Sequence, residues 1–353
     1  MIPLAIPSLN GREAWYVMEA LKAGEIATGA FIERFEQTVC AATGAKHAVA
    51  MSSGTAALHI ALLLAGVKPD DEVIVPATTF IATARAVQMC GANPVILDVE
   101  PETWGLDPAL LTNYVDTNRT PVRAVLPVHL YGHPCHLDAI RDAAERYGAG
   151  GVVEDAAEAL GATSRGLPVG GDGLAALSFN GNKLVTTGGG GMLLTPNARQ
   201  AELARSKIAH DPLDRQDLIY GRGMNYRLSN VSAAIGLAQM ETLDERLKSK
   251  RETAEHYQRA LPNVFTERPW ARSSYWLSAV KVDNPAATIG RLAAAGIEAR
   301  RVWRPLHRQP RLEGYAPAPC PVADDLYAHW ITLPASVAIT AEERETVIRA
   351  LRS

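Results

Sequence analysis

Between residues 45 and 195, short apolar runs alternate with stretches of helical periodicity, and no other feature of this chain narrows its fold as much. The runs fall at 48–51, 72–75, 94–97, 123–128, 151–154, 175–179 and 191–194. Short strands separated by helices join as crossover units, so the pattern predicts an α/β fold around a largely parallel sheet of seven strands. Helices are expected at 55–64, 81–90 and 137–147, each closing near a glycine able to take the left-handed conformation.

The second half reads differently. Ser229 and Asn230 are good N-caps, and Val231, Ala234, Ile235 and Ala238 follow at helical spacing. The helical pattern continues through a charged stretch toward Leu261, which predicts one long helix leading out of a large domain. Beyond Pro262 come Tyr275-Trp276, a strand-like stretch at 278–282 and helical patterns at 286–295 and 340–351, the outline of a smaller α+β unit. The expected division is a large domain over 1–240, with an N-terminal arm, and a small C-terminal domain over 241–353.

Composition excludes several classes. Of 353 residues 47% are hydrophobic and 21% charged, close to an ordinary soluble enzyme. A formal net charge of -3 gives no basic surface on average, which argues against nucleic acid or an anionic membrane as partner. Cys40, Cys90, Cys135 and Cys320 form no CxxC pair and no metal-ligand spacing, so they read as core thiols of a reducing compartment and no metal is expected. The opening MIPLAIPSLNGREAW has neither a cationic region nor a long apolar run, and no stretch approaches about 18 uninterrupted apolar residues. A cytoplasmic protein without a membrane span is the expectation.

Three segments carry chemistry. Ser52-Ser53-Gly54-Thr55 follows a strand and opens a helix, where free amides and a positive dipole end suit a phosphate; a plain N-cap is the bland alternative. Asp155 ends an apolar strand at the edge where α/β folds bind ligands. It either pairs with a cationic ring nitrogen or caps the next element. Lys183 follows Ser178-Phe179-Asn180-Gly181-Asn182 and precedes Gly188 to Gly191, a context that leaves room for a ligand, whereas Lys207, Lys248 and Lys250 lie in charged helical stretches. The glycine run lacks the GxxxxGK[ST] pattern of a nucleotide loop and reads as conformational freedom beside the lysine. Phe80 either stacks on a flat ring or is a core residue.

In order, SSGTAALH, VPATTFIATA, LPVHLYGHP, VVEDAAEALGA, SFNGNK, TTGGGGM, MNYRLSNVSAAIGLAQ and PLHRQP resemble the DegT/DnrJ/EryC1/StrS family of sugar aminotransferases. The resemblance covers nearly the whole chain. It implies the fold of type I pyridoxal 5'-phosphate (PLP) enzymes: a seven-stranded mixed sheet with helices on both faces, a small C-terminal domain, and a homodimer with shared active sites. By matching positions, Lys183 would hold PLP as a Schiff base, an internal aldimine, with a pyridoxamine phosphate form arising in turnover. Asp155 would pair with the ring nitrogen and Phe80 would stack on the ring. Ser53, Gly54, Thr55 and Ser178 would hold the phosphate, and Asn225 would reach it from the neighbouring subunit.

The resemblance further implies amino transfer from glutamate, which leaves as 2-oxoglutarate, to a nucleotide-linked keto-sugar. Some family members carry His in place of the lysine and dehydrate their sugar, so Lys183 favours transamination. Glu158 departs from the Gln or His common beside the phenolic oxygen, where a carboxylate repels a phenolate unless protonated or hydrogen-bonded. Met224 replaces the aromatic usual before NYR. EDAAEALG, SFNGNK, TTGGGGM and SSYWL are similar to the branch acting on UDP-4-keto-6-deoxy-N-acetylglucosamine, with perosamine-forming relatives as the alternative. His307 and Trp276 are candidate substrate contacts or small-domain packing residues. Two rivals remain: an NAD-dependent oxidoreductase, for which the GxGxxG signature is missing where it is needed, and a non-catalytic homologue.

Overall fold

The computed structural model describes residues 1–118, 120–146, 148, 150–209, 212–214, 219–220 and 223–352. All seven expected runs form strands: β1 (His47–Met51), β2 (Glu72–Pro76), β3 (Asn93–Leu97), β4 (Val122–Val125), β5 (Val153–Asp155), β6 (Leu174–Ser178) and β7 (Gly191–Thr195). One ladder runs β1-β7-β6-β5 and another β3-β2-β4. Parallel bridges from Val125 to Val152 and from Val128 to Asp155 join them into one mixed sheet, ordered β1-β7-β6-β5-β4-β2-β3. β7 is antiparallel to both neighbours and the remaining pairs are parallel. β4 stops short of the apolar run 123–128 because Pro127 has no N–H to give the ladder. Its carbonyl still accepts from Asp155 N at 2.9 Å, so pairing with β5 continues bond by bond.

Helices α1 (Arg12–Lys22) and α2 (Ala30–Thr43) precede the sheet. Then come α3 (Gly54–Leu64), α4 (Ala82–Met89), α5 (Pro108–Thr117), α6 (Leu137–Arg146) and α7 (Ala198–Ile208). The three helices expected from the sequence are α3, α4 and α6; the expected end of the last, residue 147, lies outside the described residues. Covered on both faces, the strands bury most of their side chains, Val73, Ile74 and Val75 at 0% exposure among them.

The long helix expected from 230 toward 261 is two helices, α8 (Asn230–Met240) and α9 (Leu243–Ala260), and a residue far away in sequence bonds to the chain at the break. Asn10 Nδ2 donates to the Ala238 carbonyl at 3.2 Å, the acceptor that Thr242 N needs to prolong the helix. Thr242 N turns to Gln239 O instead, at 3.3 Å, and the chain restarts as α9.

After α9, β8 (Ser278–Lys281), α10 (Pro285–Ala294), β9 (Arg300–Arg301), α11 (Pro321–His329), β10 (Trp330–Leu333) and α12 (Ala341–Arg352) build an antiparallel sheet of order β8-β10-β9 with helices packed on it. The expected elements at 278–282, 286–295 and 340–351 each match within a residue. This unit has its own core of Tyr257, Leu292, Ile331, Leu333 and Val347. Trp276, Leu277 and Leu306 belong instead to the apolar cluster that holds Val49 and Val75, so Trp276 of the aromatic run is packed with the core of the large sheet. Among the described residues, no helix is long and apolar enough to cross a membrane.

Candidate active site

A cavity of about 480 Å³ opens where β1, β5 and β6 end, within the usual size range of small-molecule sites. Its floor begins with the turn after β1. Ser53 is extended (φ -164°) and its Oγ accepts from Ala56 N at 3.1 Å, so it is the N-cap of α3. The capping reading is therefore correct, and the cap also presents Gly54 and Thr55, with the helix's free amides, to the cavity.

Two glycines are dictated by close approach. A Cβ on Gly54 would lie 2.9 Å from Ser178 Cβ, and one on Gly191 would lie 2.3 Å from the Ser53 carbonyl carbon. Neither position has room for a side chain, so β6, β7 and the start of α3 converge on one small concavity. The glycine run thus serves two ends: Gly188 (φ +82°) supplies conformational freedom, and Gly191 lets the Ser53 turn lie against β7.

Asp155 sits at the carboxyl end of β5, buried to 5% exposure. Its Oδ2 accepts from Thr83 Oγ1 at 2.8 Å and its Oδ1 from Ala157 N at 3.2 Å. Burial pushes its carboxyl above the usual range, against the opposing pull of these two donors and of the Lys183 charge. A turn follows rather than a helix, so the helix-capping alternative for Asp155 does not hold.

Lys183 occupies the turn after β6 and reaches into the same cavity. Its Nζ donates to Glu158 Oε1 at 3.3 Å and lies 3.6 Å from the centroid of the Trp276 ring, a cation over an aromatic face. Glu158 Oε2 accepts from Tyr131 N at 2.7 Å, so both of its oxygens have donors. Burial raises the Glu158 pKa, while the Lys183 ammonium beside it opposes the rise. The repulsion expected of a carboxylate at this position is thereby met by two donors.

Phe80 is half exposed and forms a wall of the cavity, with its ring 5.2 Å from that of Trp303, so the core alternative fails. Trp276 lines the cavity from the other side and donates from Nε1 to Asn182 O at 2.7 Å. Two candidates are placed elsewhere. His307 is held by Asp324, Nε2 to Oδ1 at 3.0 Å, and is not on the cavity wall; the packing alternative describes it. Asn225 is exposed with a left-handed backbone (φ +53°) and does not line the cavity of its own chain.

Sequence reasoning missed Trp303, Tyr131 and Thr83. Tyr131 Oη accepts from Trp303 N at 3.0 Å and fixes that wall, and Thr83 orients Asp155. Tyr131 and Thr83 stand inside the quoted LPVHLYGHP and VPATTFIATA, but nothing local marks either as a support of the site.

An amine beside an acid, a second buried carboxylate, aromatic walls and a helix N-terminus fit a phosphorylated aromatic aldehyde. The fit rests on the side-chain-free cradle at Gly54 and Gly191 and on Asp155, whose two donors leave its carboxylate with acceptor capacity beside the cavity.

The sequence matches the DegT/DnrJ/EryC1/StrS aminotransferase family over residues 7–352. It is 40% identical to the GDP-perosamine synthase of Caulobacter vibrioides, over 99% of this chain and 97% of that one. It is 37% identical to the putative pyridoxal phosphate-dependent aminotransferase EpsN of Bacillus subtilis, over 99% and 95%. The crystal structure of S. venezuelae DesV in complex with a ketimine intermediate superposes with a TM-score of 0.90 at 31% identity, covering 99% of this chain and 98% of that one. The chain belongs to the DegT/DnrJ/EryC1/StrS aminotransferase family and is a PLP-dependent sugar aminotransferase.

Proposed function

We propose that this enzyme moves an amino group from glutamate to C4 of a GDP-linked 4-keto-6-deoxy sugar, a GDP-perosamine-type 4-aminotransfer. The observation that carries the choice of nucleotide is the name of the Caulobacter relative, combined with 40% identity along nearly the full length of both chains. The segments EDAAEALG, SFNGNK, TTGGGGM and SSYWL support a second reading, in which the substrate is UDP-4-keto-6-deoxy-N-acetylglucosamine.

PLP, when bound, supplies an electron sink conjugated to its aldehyde carbon. Lys183 is the residue that holds that aldehyde, and its Nζ is the base that moves the proton at Cα of the donor and at C4 of the sugar. Glu158, 3.3 Å away, holds the Lys183 ammonium while the lysine is free of the aldehyde. Asp155 would keep the ring nitrogen protonated, Phe80 would cover the ring, and Ser53, Gly54, Thr55 and Ser178 would bind the phosphate. Asn225 completes the phosphate site from the second subunit of a homodimer, which agrees with its exposure and with its absence from the cavity of its own chain.

The test is a single-turnover screen. Enzyme is first converted to its amine form with glutamate, with loss of the visible band and release of 2-oxoglutarate, and keto-sugar nucleotides are then offered singly. Return of the band with the GDP sugar supports the proposal. Return with the UDP sugar alone moves the assignment to the second reading, and return only with simple keto acids sinks both.

A further inference from the structure

Lys250 is an anomaly in this fold. On sequence it reads as one of several solvated lysines of a charged helix, yet it is 3% exposed on α9. Among the described residues it has no carboxylate partner, and its Nζ donates to two backbone carbonyls, Trp276 O at 2.9 Å and Ala335 O. Burial, with the like charge of Lys183 added, pushes its amine down to about 7. Joining α9 to the turn at 334–337 does not require it, because Tyr257 Oη and Ser249 Oγ on the same helix already donate to Pro334 O and Val337 O. What Lys250 alone among these three supplies is the bond to Trp276.

Trp276 is in turn held at its other end. Its indole Nε1 donates at 2.7 Å to the carbonyl of Asn182, the residue before Lys183, and its ring face lies 3.6 Å from Lys183 Nζ. Backbone to α9, indole to the lysine loop and face to the amine form one connected path. A side chain so fixed, and 3% exposed, offers its face to Lys183 and little surface to a sugar.

We propose that Trp276, anchored by the buried amine of Lys250, is the positioning residue for Lys183 rather than a contact for the sugar. The inference rests on the aminotransferase reading and deepens it. The two roles predict different kinetics, because Lys183 acts in both halves of the exchange and the sugar enters only one. A positioning role therefore slows both halves by the same factor, whereas a sugar contact slows only the second.

The experiment uses holoenzyme carrying Trp276→Leu, Trp276→Phe or Lys250→Met. The rate of the glutamate half and the rate of the keto-sugar half are measured separately, together with visible circular dichroism per bound cofactor. The circular dichroism reports how rigidly Lys183 holds the ring and needs no turnover. Trp276→Leu is expected to slow both halves alike, on the order of 10-fold, with apparent affinities for both substrates within about twofold of wild type. Trp276→Phe keeps an aromatic face and loses the indole bond, so it should fall between Leu and wild type. Lys250→Met should move both rates and the dichroism in the direction of Trp276→Leu.

If Trp276→Leu leaves the glutamate half at the wild-type rate and slows only the sugar half, Trp276 is a sugar contact and the proposal is overturned. Unchanged rates and unchanged dichroism in both Trp276 variants overturn it equally. Should Lys250→Met fail to fold, the two Trp276 variants still decide. Should wild type give no response to glutamate, the donor assignment fails on its own, and the dichroism of the variants judges the positioning role separately.

Discussion

Glu154 and Asp155 are neighbours on β5, both almost fully buried, and the strand turns them to opposite faces of the sheet. Glu154 is closed off. Its Oε2 is 3.1 Å from His129 Nε2 and accepts from Gly170 N at 3.1 Å, while Oε1 accepts from Arg141 at 2.7 Å. Because Cys135 N donates to His129 Nδ1, the ring proton sits on Nε2 and points at Glu154. Asp155 has one hydroxyl and one amide as donors and borders a cavity. Burial of a charge alone therefore separates nothing: the acid whose hydrogen-bonding capacity is consumed holds the sheet, and the one with capacity to spare serves a ligand.

Substitution is the way to break this contrast, and Lys183 marks its far end. Lys183→Ala removes the proton-moving amine and should lower the rate of either half-reaction by about 10³-fold or more. Its thermal transition should fall too, because the buried Glu158 carboxylate loses one of its two donors. A residual rate within tenfold of wild type would exclude Lys183 as the base.

The second-largest effect is expected on the closed face. Glu154→Gln leaves His129 and Arg141 without their shared anion and should cost about 3 kcal/mol of stability, as breaking a buried pair does. The rate per folded, loaded molecule should be unchanged, which denaturation and single-turnover measurements on one preparation can check. Asp155→Asn should show the converse: near-normal folding with cofactor bound, and single-turnover rates lower by about 10²-fold, since a neutral amide does not hold the ring nitrogen cationic. If the two variants behaved alike, the distinction between the faces of β5 would be lost.

Much of this was legible in the sequence, and the illegible part has a physical pattern. The seven strands could be read because each apolar run is local and its punctuation is local. The break between α8 and α9 could not, because the contact found there comes from Asn10, 228 residues from the Ala238 carbonyl it bonds. At the site, Lys183, Asp155 and the Ser53 turn stand out as small or charged residues at strand ends, where an α/β sheet exposes them. Trp303 reaches the cavity through tertiary packing, and Tyr131 and Thr83 support it from behind, by bonds to Trp303 and to Asp155 that their surroundings in sequence do not mark. Lys250 is the sharpest case: the pattern of α9 says solvent, and the 334–337 turn covers it. His307 shows the reverse, a residue in a quotable motif whose partner is the neighbouring Asp324.

The smallest expected effect separates burial from bonding at Asp155 itself. In the cofactor-free protein, burial lifts its carboxyl above the ordinary range, and Thr83, Ala157 and the Lys183 charge recover only part of the shift. The folded chain then holds more protons than the unfolded chain in the window between the ordinary and the raised value. Stability contributed by this group is present at low pH and is lost as pH rises through the raised value, at no more than about 1.4 kcal/mol per pH unit. Asp155→Asn has no proton to give up. Denaturant unfolding of the cofactor-free variant and wild type, side by side from about pH 4 to about pH 7, should show the variant gaining on wild type as pH rises. A difference that stays constant, or a variant that loses ground to wild type as pH rises, would mean that the donors around Asp155 already balance its burial, and that it is saturated in the same sense as Glu154.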